Sequence, residues 1–200
     1  MAGTRPGWAV GYEDETWWSR VAHPALHAWR ADDAVRLVAQ TVPREDPDPK
    51  ALACYGLLLR PHDAPDAAAE QVWLRFVDGR PVSALTEQFL AWTCDRLVAT
   101  GTTTLVLIWD NAGWHGSAAI RRWLRAHNQR AHREGGVRIV PCWLPTKSPW
   151  LNPIEPKWVH GKRRIVEPAR LLTAREVEDR VCAAFACQRC DHLAIPQEVT

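Results

Sequence analysis

Three acidic side chains stand where chemistry could be built. Asp14 lies in VGYEDETWW, Asp110 ends the run LVLIWD and precedes Asn-Ala-Gly-Trp-His, and Glu155 lies in SPWLNPIEPKW. If the first segment is a strand, side chains alternate, so Val10, Tyr12 and Asp14 share one face and Glu13 and Glu15 take the other. A carboxylate on an apolar face is costly unless a cation or hydrogen bonds compensate it. The alternative is an edge strand with three solvated acids. Asp110, at the carboxyl end of a buried strand, occupies the place where open α/β sheets build their sites; the alternative is an Asx turn leaving the strand. Asn152 can cap a helix whose first residue is Pro153 and whose third is Glu155. There Glu155 either faces a cleft or closes a capping box back to Asn152. Should the three acids converge, they offer the oxygen ligands that a hard cation such as Mg²⁺ requires. Two such ions, roughly 3.5–4 Å apart, activate the attacking oxygen and stabilise the leaving one in phosphodiester chemistry.

The elements that must position these residues follow from pattern. Strands are expected over Trp8–Trp18, Ala51–Leu59 and Gln71–Val77, the last ended by an Asp78-Gly79 turn, with Pro- and Asp-rich loops between them. Pro81–Thr100 reads as a helix with Val82, Leu85, Phe89 and Trp92 on one face and Gly101 at its end. TTTLVLIWD lacks alternation, as a strand buried on both faces does. A helix follows from Ser117 to about Glu134 with Ile120, Trp123, Leu124, His127 and Ala131 on one side, then the strand VRIVPCWL. A helix from about Pro153 to Lys162 comes next. Last is a helix opened by the capping box Thr173–Glu176, with Val177, Val181, Ala184 and Phe185 inward. Three strands able to form a meander, then strands alternating with helices, imply an α/β fold with a mixed sheet and helices on its faces.

Composition bounds the rest. At 200 residues, 46% hydrophobic and 24% charged, the chain suits one folded domain with its own core. No apolar run approaches the ~18 residues of a membrane span, and the start lacks a secretory pattern, so a cytoplasmic location and no membrane partner are expected. The net charge of +2 is uneven. Residues 1–110 carry 10 Lys+Arg against 15 Asp+Glu, whereas residues 111–200 carry 15 against 8. The basic half suggests a polyanionic partner. Lys147, Lys157, Lys162, Arg163 and Arg164 surround Glu155 in sequence and could neutralise a DNA backbone. Trp114, Trp150 and Trp158 could stack on exposed bases or fill core space. The six cysteines are most simply reduced thiols; Cys187, Cys190 and His192 have spacing that could contribute to a zinc site, which would make the chain an interaction module instead.

YEDETWW, LIWDNAGWH and LPTKSPWLNPIEPKW, in this order, resemble the catalytic domain of DDE transposases, and more closely the mariner-like superfamily of bacterial insertion sequences. The likeness spans about Gly11 to Arg164, and its last motif is the most specific. The resemblance implies an RNase H-like fold: a core of about 8–165 and a C-terminal helical extension over 166–200. It makes Asp14, Asp110 and Glu155 the catalytic, metal-binding triad for two Mg²⁺ or Mn²⁺ ions, with Asn111, His115 and Asn152 beside it. It further implies DNA (element ends and target) as partner, a homodimer, nucleoid association, and DNA strand cleavage followed by strand transfer. A nuclease of the same fold without strand transfer, or a remnant that only binds DNA, are the alternatives. Two departures stand out. The 44 residues between Asp110 and Glu155 exceed the usual mariner spacing, and HNQRAHREGG is expected to supply the excess as extended helix and loop. The first catalytic strand begins within about ten residues of Met1, so no N-terminal helix-turn-helix region is expected in the chain; a separate DNA-binding polypeptide that supplies it, or its loss by truncation, are the alternatives.

Overall fold

The computed structural model describes residues 5–22, 40–61 and 70–195. Five strands, β1 (Trp8–Ser19), β2 (Ala51–Pro61), β3 (Gln71–Val77), β4 (Thr104–Trp109) and β5 (Arg138–Trp143), form one sheet in the order β3-β2-β1-β4-β5. The first three pair antiparallel, as the expected meander; β4 and β5 add in parallel on the other side of β1. β1 is therefore the central strand, not an edge.

Helices α1 (Ser83–Val98) and α2 (Ala118–Glu134) cover one face. Leu57, Leu59, Leu105, Leu107 and Trp109 of the sheet meet Leu85, Phe89 and Leu97 of α1 and Ile120 and Leu124 of α2 there. Trp92, expected inward, is half-buried and stacks instead with Phe89, edge-on to Trp73 and under the guanidinium of Arg96. Helices α3 (Glu155–Ile165) and α4 (Ala174–Ala184) cover the other face, where Trp18, Leu52, Cys54, Leu58 and Phe76 pack on Ile154, Trp158, Ile165, Val177 and Val181. The Thr173–Glu176 capping box opens α4 as expected. Its inward side is Val177, Val181 and Cys182; Ala184 and Phe185, at the frayed end, are only half-buried.

Two expectations need correction. β4 is buried on one face only: Leu105, Leu107 and Trp109 are covered by α1 and α2, while Val106 and Ile108 are half-buried because α3 and α4 lie over β1, β2 and β3. Second, α3 starts at Glu155, not at Pro153. A single 3-10 turn, Pro149–Leu151, precedes it, and Asn152 Oδ1 accepts a long bond from Ile154 N at 3.4 Å in the turn between them.

The long spacing between β4 and α3 resolves into α2 and its return. Gly135 and Gly136 take positive φ values of 80° and 141° and turn the chain. Asn128 accepts from Ile139 N and donates to Ile139 O, both at 2.8 Å, so the end of α2 is stitched to β5. The tail after α4 returns to β3, where Leu193 bridges Val77 in parallel. His192 Nδ1 lies 2.6 Å from Asp78 Oδ1 and Nε2 lies 2.8 Å from Glu178 Oε1. With both ring nitrogens taken by carboxylates, Cys187, Cys190 and His192 do not form a zinc group among the described residues.

Candidate active site

Asp14 and Asp110 arrive on neighbouring parallel strands. The β1–β4 ladder reaches Tyr12 opposite Ile108, and each acid stands two residues further along its chain. The two therefore come level at the carboxyl end of the sheet. Alternation along β1 sends Asp14 to the α3 face, as its spacing predicted. There Trp158 Nε1 donates to Asp14 Oδ2 at 2.7 Å. Trp158 follows Glu155 by one helical turn, packs edge-on against Trp18 and Phe185, and lies over Gly56, where any Cβ would overlap its ring. The indole that seats α3 on the sheet is thus also the donor that holds Asp14, and it brings Glu155 with it.

The three carboxyls differ in how their surroundings shift them. Burial raises the Asp14 carboxyl to about 7, and the nearby charges of Glu155 and Asp110 push the same way, against the Trp158 hydrogen bond. Glu155 is also raised by burial, with Lys162 opposing and Asp110 adding. Asp110 moves the other way. The hydrogen bond from His115 holds it below the usual carboxylate range against the effect of burial, helped by Ala112 N, which donates to Oδ1 at 2.8 Å. Asp110 therefore makes an Asx turn and faces the site at once. Both bonds fall on Oδ1, and among the described residues no hydrogen bond reaches Oδ2.

The neighbours hold the frame. Asn152 is buried and donates from Nδ2 to the Glu13 carbonyl at 2.9 Å, pinning the turn before α3 to β1. Its backbone carbonyl accepts from Glu155 N, so Glu155 closes no capping box with the Asn152 side chain. Asn111 donates from Nδ2 to Leu144 O at 2.6 Å and ties the end of β4 to the end of β5.

The opposite face of β1 brings together Glu13, Glu15 and His115, a grouping the sequence reading did not foresee. Glu13 is fully buried, not solvated. His115 stacks on Trp109, with Nδ1 2.9 Å from Asp110 Oδ1 and Nε2 3.1 Å from Glu15 Oε1. Trp114 Nε1 also donates to Glu15 Oε1. Burial draws His115 down, but the Glu13 charge and the bonds to Asp110 and Glu15 raise it to about 11. The available signal was the i to i+2 spacing of Glu13 and Glu15 on one strand face; the histidine opposite them is about 100 residues away.

The five basic candidates divide. Lys162 is close enough to Glu155 to oppose its shift. Lys147 is exposed and sits at φ 59°, a conformation that is strained for a residue with a Cβ. Arg163 and Arg164 are exposed. Lys157 is turned away to Glu70, with Nζ 3.0 Å from Oε2. Of the three tryptophans, Trp158 is buried, Trp114 is bonded to Glu15, and Trp150, in the 3-10 turn before α3, is 73% exposed.

Residues 69–178 match the family described as DDE superfamily endonuclease. The chain belongs to that superfamily. The matched stretch contains Asp110 and Glu155 and begins after Asp14. Solved structures of similar fold include the Mos1 transposase paired-end complex with left transposon end (TM-score 0.61, 17% identity, 90% of this chain and 48% of that chain). The Mos1 mariner paired-end complex with Mn gives a TM-score of 0.60 at 16% identity, over 90% and 48% of the two chains. The Mos1 strand transfer complex gives 0.57 at 16%, over 90% and 47%. The chain spans about half the length of those it matches. No curated protein sequence matches it. The mixed sheet with helices on both faces is the RNase H-like fold of a DDE endonuclease. Among the described residues no helix is long and apolar enough to cross a membrane.

Proposed function

We propose that this DDE endonuclease is the catalytic domain of a transposase and carries out metal-dependent DNA strand cleavage and strand transfer for an insertion sequence. The observation that carries the reading is the convergence of Asp14, Asp110 and Glu155 at one end of the sheet, two raised and one lowered by their surroundings. Three carboxylates that repel one another in a half-exposed cleft are the donor set a hard divalent cation fits. Asp14, Asp110 and Glu155 would hold two Mg²⁺ or Mn²⁺ ions. When bound, these would supply charge stabilisation for phosphoryl transfer and an acidified water.

The chain's own residues do the rest. Trp158 fixes Asp14 Oδ2, leaving Oδ1 to face the cleft. His115 and Ala112 N fix Asp110 through Oδ1, leaving Oδ2. Lys162 and the exposed Lys147, Arg163 and Arg164 would hold backbone phosphates without reading bases; Lys157 contributes less, because Glu70 occupies it. Trp150 is the tryptophan left to stack on a base near the cut. The partners in this reading are the element ends and target DNA, bound by a homodimer in the cytoplasm at the nucleoid. In this reading residues 1–200 act as a single catalytic domain.

The test is a cleavage and joining assay with Mg²⁺ on DNA carrying element ends. The chain is expected to nick the DNA and join 3′ ends to a target. Asp110→Asn should abolish both and leave backbone binding largely intact. Cleavage without joining would reduce the reading to a nuclease, and equal activity in Asp110→Asn would overturn the triad.

A further inference from the structure

The strongest group outside the triad lies behind it, on the α1/α2 face of β1. One ligand atom each from Glu13, Glu15 and His115 falls within 4.8 Å of the others. Two carboxylates aim at a single nitrogen: His115 Nε2 is 3.1 Å from Glu15 Oε1 and 3.3 Å from Glu13 Oε2. A hydrogen on Nε2 lies along one line and serves one acceptor. Glu15 takes it, and both Glu13 oxygens, fully buried, are left with no hydrogen-bond partner. A proton on Glu13 finds one acceptor, His115 Nε2 at 3.3 Å, but that nitrogen then gives up its own hydrogen and its bond to Glu15. With a single proton, on Nε2 or on Glu13, the nitrogen serves only one of the two carboxyls in a buried place where unmade bonds are costly, which points to a ligand that serves both.

We infer that Glu13, Glu15 and His115 form a second metal site, which takes one divalent transition-metal cation such as Mn²⁺ and is distinct from the Asp14–Asp110–Glu155 cleft. A cation bonded to Nε2 reaches both carboxylates at once, which a hydrogen cannot. Ligand atoms around a four-coordinate ion with bonds of about 2.0–2.2 Å stand roughly 3.3 Å apart, close to the separations found here. Two carboxylates and an imidazole suit Mn²⁺ or Zn²⁺. The other side of the ring is also prepared. Nδ1 faces Asp110 Oδ1 at 2.9 Å, the carboxylate–histidine arrangement that fixes a metal-bound imidazole and leaves Nε2 to the ion. Trp109 stacked on the ring and Trp114 bonded to Glu15 close the group off from a DNA strand. The ion would therefore be structural: it would tie β1 to the turn after β4 and hold Asp110 level with Asp14.

The test uses Mn²⁺ and the full chain with Asp14→Asn and Glu155→Gln, which removes two of the three triad carboxyls and leaves the buried group whole. One tightly held Mn²⁺ per chain is expected by electron paramagnetic resonance, with a nitrogen coupling in the echo spectrum from His115. Adding Glu13→Gln, which keeps the shape, should weaken the retained ion by about tenfold or more, and adding His115→Gln should erase the nitrogen coupling. No retained ion, or an ion without nitrogen coupling, would overturn the inference and leave a proton on His115 as the occupant. An ion unaffected by Glu13→Gln would overturn it equally. If Glu13→Gln does not fold, the count and the echo spectrum of the parent variant decide alone. None of these outcomes bears on whether the triad cleaves DNA.

Discussion

The two faces of β1 handle negative charge in opposite ways. On the α3 face Asp14 meets one neutral donor, the Trp158 indole, and two other carboxyls that repel it, so its charged form is disfavoured. On the α1/α2 face Glu13 and Glu15 surround an imidazole whose charged form is strongly favoured. One side holds its carboxyls with no counter-charge from the fold at Asp14. The other sets an imidazole against its two glutamates, although both Glu13 oxygens stay without a hydrogen bond. Alternation along a single strand, Glu13 to one side, Asp14 to the other and Glu15 back again, sets the two chemistries a few ångströms apart. Asp110 joins them, since His115 holds its Oδ1 from behind while its remaining oxygen belongs to the cleft.

Substitutions on the two faces should therefore move stability in opposite directions. The largest effect is expected for His115→Gln, which removes the one basic group facing Glu13, Glu15 and Asp110. Breaking a buried charge pair by deleting one partner costs on the order of 3–5 kcal/mol, and urea unfolding of the metal-free protein at pH 7 should read a loss of that size. His115 is raised from 6.5 to about 11, so its contribution is fully present below pH 6.5 and is lost as pH rises toward 11. The destabilisation by His115→Gln should shrink accordingly as pH rises from about 6.5 to about 11. A loss under 1 kcal/mol at pH 7 would mean that the imidazole is not charged and that the contrast between the faces fails.

Asp14→Asn should do the reverse. The Asp14 carboxyl is raised from 3.8 to about 7, so the folded metal-free chain binds this proton more tightly than the unfolded chain does. Its stability is then greatest at low pH and falls as pH rises from about 4 to about 7. The asparagine variant should lose that part of the slope and gain on the order of 2–4 kcal/mol relative to the parent at pH 7 in EDTA, while cleavage disappears. A variant less stable than the parent at pH 7 would show that Asp14 contributes to the metal-free fold instead of straining it.

Much of this arrangement was legible from the sequence, for local reasons. Strand alternation placed Asp14 opposite Glu13 and Glu15, and the unbroken apolar run ending at Asp110 placed that acid at a strand terminus. What escaped depends on contacts across long stretches of chain. Glu13 was readable as a solvated acid because nothing near it in sequence says that β1 is central or that His115 waits on the same face. Asn152 shows the same divide: its Oδ1 accepts from Ile154 N, as its local surroundings suggest, but its Nδ2 reaches the Glu13 carbonyl, 139 residues away in sequence. Trp158 was readable as core, which it is, but its second role needs Gly56 and Asp14, both more than 100 residues away. The division of the basic cluster likewise depends on Glu70, a residue on β3's side of the fold.

Trp158→Phe tests the neutral donor. The far edge of the indole, which covers Gly56, is lost along with the bond to Asp14 Oδ2. The cost in stability should be about 2–3 kcal/mol, from the cavity and the bond together. The acid limb of the pH–cleavage profile should move to higher pH, because the removed donor is what lowers Asp14. An unchanged profile would mean that metal binding, not Trp158, sets the charge of Asp14 in the working site.

The smallest effect belongs to the rim of the cleft. Lys162 opposes the rise of Glu155 and is exposed, whereas Lys157 is paired with Glu70. If backbone phosphates lie along α3, Lys162→Ala should weaken DNA binding about equally for all sequences and reduce the slope of log affinity against log salt by about 1. Lys157→Ala should change that slope by less, because its charge is already partly spent within the fold. Equal slopes for the two variants would place the phosphates on the β3 side of the helix as well as over the cleft. A loss confined to Lys157→Ala would move the DNA track off the triad face altogether.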